Sequence, residues 1–216
     1  MSALRRLVVS SAAAAALVAC ADETRFVQVR QASNEPIPIT RLAVAPFRAV
    51  ERPGGPRLPD DAAPLVGGYV ASAFEGRGVD VVPPSDVASA LALPIAPGEA
   101  PDARAVAAAA HAKFGADAVA LGSVHRFRDR SGEAMGSTHA ASVGFEVRIV
   151  SAPAGQLLWV GAFDQTQVAL TENVLKAPQY PGGGTRWLSA EEFARWGAGL
   201  VVNQVPIASA PVAASP

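Results

Sequence analysis

From Val143 to Ile149 the chain alternates Val143, Phe145, Val147 and Ile149 with Gly144, Glu146 and Arg148. Successive residues of a strand point to opposite sides of the sheet, so this spacing specifies one dry face and one wet face. Such a strand needs partners beside it and a layer over its apolar side before it is stable. Ala152-Pro153-Ala154-Gly155 is a turn, and the stretch from Gln156 to Val168 reads as the next strand. Residues 140–150 and 156–168 therefore pair as an antiparallel hairpin.

The preceding sequence supplies the other layers. Thr40 to Phe47 is a short apolar strand ended by Pro46, and residues 51–61, rich in Pro, Gly and Asp, form a loop. A helix follows over 62–75, with Asp60 or Asp61 available as its cap and Pro64 tolerated in its first turn. Leu65, Val66, Tyr69, Val70 and Phe74 give it one apolar stripe. A strand over 79–82, a short helix over 85–91, an alanine-rich helix over 102–114 ended by Gly115, and a strand over 117–127 come next. Residues 128–138 read as a flexible connection and 177–186 as a loop. Ser189 and Glu192 form a capping box, with Leu188 and Phe193 at the staple positions, so a helix runs from there to about Val202. Strand-helix-strand units join parallel strands by right-handed crossovers. The expected fold is α/β (α+β): a mixed sheet of about five strands, the first parallel, then an antiparallel hairpin and a closing C-terminal helix.

The N-terminus constrains where such a domain works. Arg5 and Arg6 precede a mostly apolar run from Leu7 to Val18, and small residues lead to Cys20, the single cysteine. The run is too short to span a bilayer, which takes about 20 residues, and reads instead as a removable secretory leader. Leu17-Val18-Ala19-Cys20 resembles the lipobox of bacterial lipoproteins. That resemblance implies lipidation of Cys20 after export by the general secretory route. Leu7-Val8-Val9 fits a twin-arginine signal poorly. Ala21 stands where an inner-membrane retention aspartate would be, which favours the outer membrane, although Asp22 follows it. Residues 1–19 are then the signal, 20–38 a lipidated tether with one short strand at 25–30, 39–204 a single periplasmic domain, and 205–216 a disordered Ala/Pro tail.

Composition excludes several functions. The chain has a formal charge of −1, and the leader holds two of its arginines, so the exported part is more acidic still. Its one basic grouping, Arg126, Arg128 and Arg130, is diluted by Asp129 and Glu133, which argues against nucleic acid. If the hairpin near Gly132 brought His125 and His139 face to face, they could share a zinc ion with Asp129 or Glu133. Two histidines without a spaced third ligand do not make such a site, and His111 lies apart on the alanine-rich helix. Ser123 and Ser137 sit near those histidines without a nucleophile elbow. Gly182-Gly183-Gly184 lacks the lysine of a phosphate loop. Glu191 and Glu192 point about 100° apart on a helix, as dipole-facing charges do. No catalytic residue, metal or cofactor is expected. Trp159, Trp187 and Trp196 read as packing between helix and sheet. The alternative is that Tyr180 and Trp187 beside the glycines form an aromatic recognition surface.

Three segments carry a wider resemblance: Arg41 to Phe47, Phe114 to Val124, and Val143 to Phe163 with Gly155-Gln156-Leu157-Leu158-Trp159. Their order resembles envelope lipoproteins of the curli-secretion, penicillin-binding-protein-activator and TolB amino-terminal group. Trp187 to Glu192 and Asp164 to Gln167 look like uncharacterised envelope lipoproteins of delta-type proteobacteria. The resemblance implies a non-catalytic periplasmic domain that works by protein contact, with an envelope protein or a second copy of itself as partner. The contact surface would be Asp164 to Val168 with the 177–187 loop. A curli-type secretion pore is the alternative, but Glu146, Arg148 and Asp164 are poor lipid-facing residues. A weak His-based metal or hydrolase site is the other.

The lipid anchor is open to direct test. Intact-mass spectrometry of membrane fractions should find an N-terminus starting at acylated Cys20. Cys20→Ser should remove the acyl mass and move the protein out of the membrane fraction, because one polypeptide end without acyl chains holds no membrane.

Overall fold

A computed structural model describes residues 26–31, 33, 35–51, 53–91, 102–134, 136–169 and 177–208. The strands are β1 (Val27–Gln31), β2 (Arg41–Val44), β3 (Arg48–Ala49), β4 (Asp80–Val82), β5 (Ala118–Arg128), β6 (Ser131–Glu133), β7 (Gly136–His139), β8 (Ser142–Ser151) and β9 (Leu157–Thr166). The α-helices are α1 (Ala62–Glu75), α2 (Pro84–Leu91), α3 (Ala103–Phe114) and α4 (Ala190–Asn203). The leader, Cys20 and residues 209–216 of the tail lie outside the described residues.

Seven strands form one mixed sheet in the order β1-β9-β8-β5-β2-β4, with β3 also against β5. Strands β2, β3, β4 and β5 are parallel, whereas β5, β8, β9 and β1 pair antiparallel. The five strands expected from the sequence are all present, and so are the crossover helices and the closing helix. The hairpin β8–β9 occupies the middle of the sheet rather than a free edge.

Packing explains why the two faces of the sheet differ. Val143, Phe145, Val147 and Ile149 of β8 are fully buried together with Leu42 and Val44 of β2 and Trp159 and Phe163 of β9. They pack against α1, through Val66, Val70 and Phe74, and against α4, through Phe193, Ala198 and Val201. On the opposite face α2 and α3 bury Val87, Val106, Ala107 and Ala110 against Ala43, Val119 and Val150. That second layer covers only part of its face.

Local chemistry sets the helix ends. Asp102 accepts a hydrogen bond from the Arg104 amide at the start of α3, and Gly115 ends the helix at φ 66, a conformation that favours glycine. At α1 neither expected cap forms: Asp61 is the N-cap residue but makes no side-chain cap bond. The loop there is closed by backbone bonds instead, Ala62 N–H to the Pro59 carbonyl and Leu65 N–H to that of Asp61. Pro46 lacks a donor for the ladder, and β2 stops before it. The Ala45 and Val50 amides resume bonding to the Ala120 and Val124 carbonyls, so Ala45-Pro46-Phe47 forms a step between β2 and β3.

Three expectations need correction. The segment read as tether joins the domain from Phe26 onward: β1 pairs with β9 from Val27↔Phe163 to Gln31↔Trp159. It is an exposed edge strand with alternating polar residues, so the apolar signal is weak, and Phe26 is buried. The connection over 128–138 contains β6 and β7, a small separate hairpin. The tail is ordered through residue 208, because Val205 is buried and Ile207 bridges Ile37. Among the described residues no helix is long and apolar enough to cross a membrane.

The step at Pro46 lays the Phe47 ring directly over Gly122 of β5, where a Cβ would overlap it. Gly122→Ala should therefore cost about 1–3 kcal/mol as an overpacked site. Urea denaturation would read this as a lower midpoint at unchanged slope. Adding Phe47→Leu, which removes ring atoms, should return part of the loss.

Candidate functional site

The histidines do not meet. His125 lies in a bulge of β5 between Val124 and Arg126, beside Gly144 of β8, where a side chain would collide with the imidazole. Its Nε2 is 3.3 Å from Oδ2 of Asp164, a contact without hydrogen-bond alignment, and the Arg126 guanidinium pairs with the same carboxylate. His139 is on β7 opposite Ser131, in the separate two-stranded sheet. The β6–β7 hairpin starts only after β5 has ended, which is why the face-to-face pairing fails. Asp129 accepts from the Ala190 amide at 2.9 Å, and Glu133 is exposed. Among the described residues no group of three metal-ligating side chains forms. His111 contacts the Ala116 carbonyl through Nδ1 at 2.9 Å and thereby ties down the end of α3. Ser123 lies within β5 and Ser137 within β7.

The hairpin end and the 177–187 loop do come together, as one clamp built on Gln167. This side chain is buried, and its Nε2 donates to the Arg186 carbonyl at 2.9 Å. Its Oε1 accepts from the Leu188 amide at 2.8 Å, while its own backbone amide donates to the Ala141 carbonyl at 3.0 Å. A buried amide with these partners fixes the loop, since losing any one would leave a desolvated polar group. The loop itself contains a short 3-10 turn, Ala177–Gln179, and a kinked turn over Pro181–Gly184 in which Gly182 and Gly183 take φ of 76° and 68°.

Tyr180 overturns the aromatic-surface alternative. Its ring is buried among Phe26, Trp196 and Phe193, at centroid distances of 5.4, 5.3 and 5.8 Å. Burial raises the pKa of its hydroxyl, which accepts a hydrogen bond from the Val168 amide at 3.3 Å. Trp187 is half-buried, and its amide bonds the Ala134 carbonyl at 2.8 Å, docking the small hairpin. Among the residues of this loop whose exposure is described, Pro178, Gln179, Gly182, Gly183 and Thr185 stay well exposed.

The expected capping box opens α4. Glu192 N–H donates to Ser189 Oγ at 3.1 Å, and Ser189 N–H donates to the Glu192 carboxylate at 2.9 Å. Arg186 adds two bonds of 2.8 Å to that carboxylate. These donors, Arg186 first, lower the Glu192 pKa from the ordinary 4.5 to about 2.

One feature escapes sequence reasoning. Where α3 ends its cover, a groove of about 240 Å³ opens on the second face of the sheet. Arg48 of β3 is in register with Ser123 of β5, and Ser123 with Glu146 of β8, so three residues distant in sequence form one row across the strands. Arg148 donates to Glu146 at 2.6 Å. Leu121, two residues from Ser123, and the Val150–Leu157 pair, a further two residues along the strands, also line the groove, as does Ala103 of α3. The only sequence signal for it is the wet side of the alternation at Glu146 and Arg148.

The fold defines a class: a mixed αβ domain with two helices on one face, a half-covered second face and a central antiparallel hairpin. No family model and no curated protein matches the sequence. Among solved structures, the subunit of the PelC dodecamer from Paraburkholderia phytofirmans is similar at 15% identity and a TM-score of 0.51, covering 85% of this chain and 99% of that one. Lipoprotein GNA1162 from Neisseria meningitidis is similar at 18% identity, with 59% and 80% of the two chains covered and a TM-score of 0.43. The LpoB C-terminal domain from Escherichia coli gives 18% identity, 62% and 88% coverage, and a TM-score of 0.39. At these identities the PelC likeness establishes a shared fold.

The Glu192 pKa is lower in the folded than in the unfolded chain, so its contribution is present above about pH 4.5 and is lost as pH falls toward 2. Glu192→Gln should melt below wild type at pH 7, with the gap closing between pH 4.5 and 2. Ser189→Ala should cost about 1 kcal/mol. Thermal unfolding followed by circular dichroism checks both.

Proposed function

We propose that this chain is a lipid-anchored, non-catalytic protein-contact module of the bacterial envelope. Cys20 tethers it to the periplasmic side of the outer membrane, and its domain helps build an assembly there. The observation that carries this reading is a lipobox-type leader, Leu17-Val18-Ala19-Cys20, in front of a domain whose fold matches nearly the whole of a PelC subunit. The residue types that chemistry would use support it. His111, Asp129, Gln167 and Glu192 are each spent on backbone or ion-pair contacts that hold the fold. His125 and Asp164 face each other and Arg126.

A homo-oligomer is the second reading, favoured because the matched PelC protein is described as a dodecamer. A secretion pore has less support. The one long hairpin, β8–β9, is the centre of the sheet, with its apolar face under α4, so freeing it for a barrel would open the main core.

Native mass spectrometry of the detergent-solubilised full chain, paired with crosslinking in intact cells, tests the proposal. A discrete oligomer, or a reproducible crosslink to one envelope protein, is the expected result. A monomer at every concentration, with no crosslink in the envelope, refutes the assembly role.

A further inference from the structure

The charge balance of the groove on the second sheet face is incomplete. Two guanidiniums, of Arg48 and Arg148, line it with one carboxylate, Glu146, and Arg148 already holds that carboxylate. Arg48 is half-buried, and among the described residues it has neither a hydrogen bond nor an ion pair; the Ser123 hydroxyl in register beside it is likewise unbonded. A cation partly withdrawn from water and left without an anion is a cost that a bound carboxylate would offset.

The apolar half lies in a fixed place relative to that charge. Leu121 is two residues before Ser123 on β5, so the two side chains share a face about 6.6 Å apart. Across the sheet Leu121 is in register with Arg148, and Val150 and Leu157, paired across the hairpin, lie a further two residues along the strands, where Leu157 is one of the few large apolar side chains left exposed. An extended peptide repeats its side chains with the same two-residue step. A segment of the form acid-x-aliphatic therefore matches the groove in both charge and spacing.

We propose that this groove is the docking site for an extended acidic–aliphatic segment of a protein partner. The partner's Asp or Glu carboxylate pairs with Arg48 and accepts from Ser123 Oγ, while its aliphatic side chain two residues away lies on Leu121, facing the Val150–Leu157 pair one step beyond. The inference rests on the protein-contact reading above and names the chemistry of the partner that reading requires.

The test uses the full chain, isotope-labelled in detergent, and the N-acetylated, C-amidated peptide Ala-Glu-Ala-Leu-Ala, compared with its Gln and Lys counterparts at the second position. The Glu peptide should shift amide signals of Arg48, Leu121, Ser123, Arg148 and Leu157. The Gln and Lys peptides should bind at least about tenfold more weakly, the size of a lost charge-assisted bond. Arg48→Glu should invert the preference toward the Lys peptide. Ser123→Glu, which gives Arg48 an internal anion, should abolish binding of the Glu peptide and covers the case in which Arg48→Glu does not fold. Equal binding of all three peptides, shifts that map elsewhere, or an unchanged preference in these variants overturns the proposal. Native mass and envelope crosslinks of wild type are read separately, so a failed groove and a failed assembly role give different results.

Discussion

The dry face of β8 is the constraint on which the rest of the molecule depends. Four fully buried side chains, Val143, Phe145, Val147 and Ile149, sit on a strand that is hydrogen-bonded on both edges, to β5 and to β9. Burying each stabilises the fold by about 1.5–3 kcal/mol, but only if a layer closes over them. Helix α4 closes it, and does so through aromatics. Phe145 meets Phe163 at 5.5 Å, Phe163 meets Phe193 at 5.2 Å edge-on, and Phe193 stacks on Trp196 at 5.8 Å. The close approach of helix to strand has a local cause, since Gly197 of α4 faces the Phe163 ring where any Cβ would be crowded.

That layer also explains why the chain before β2 and the loop before α4 are structured. Phe26 and Tyr180 complete the aromatic cluster around Trp196, at 4.7 and 5.3 Å. The edge strand β1 is therefore held at one end by its side chain in the core and along its length by the ladder to β9. The loop is held from below by the same ring cluster and from above by Gln167 and Arg186. Tyr180, which resembles part of a recognition surface in one dimension, is core in three, because a tyrosine beside a glycine run says nothing about which side of it faces water.

What the sequence discloses follows from how far apart the interacting residues are. The period of two in β8, the helical stripe of α1, the Asp102 and Gly115 ends of α3 and the Ser189 box are all interactions within a few residues, and each is legible in the order of the amino acids alone. Edge strand β1 is faint because half its side chains face solvent, so its apolar alternation is diluted. The Asp61 cap fails because backbone geometry satisfies the helix start first. The bulge at His125 leaves no local trace, since it arises from the register of β5 on β8. The row from Arg48 through Ser123 to Glu146 joins residues far apart along the chain, and only strand order puts them in line.

The two faces of the sheet then differ in purpose for a physical reason. One face is saturated: α1 and α4 leave its apolar residues no further surface to bury. The other is covered by α2 and α3 only at the parallel end, and the uncovered part survives in water because its charges are paired on the spot, Arg126 with Asp164 and Arg148 with Glu146. Paired surface charges of this kind contribute little stability and offer a partner little, as each ion already has its counterpart. Specific contact requires a group whose pairing is unfinished, beside apolar area that water wets poorly. On the described surface, the edge of the groove where Arg48 and Ser123 lie one two-residue step from Leu121 has both properties, and its position at the limit of α3 follows from the helix being too short to cover the long strands beneath it.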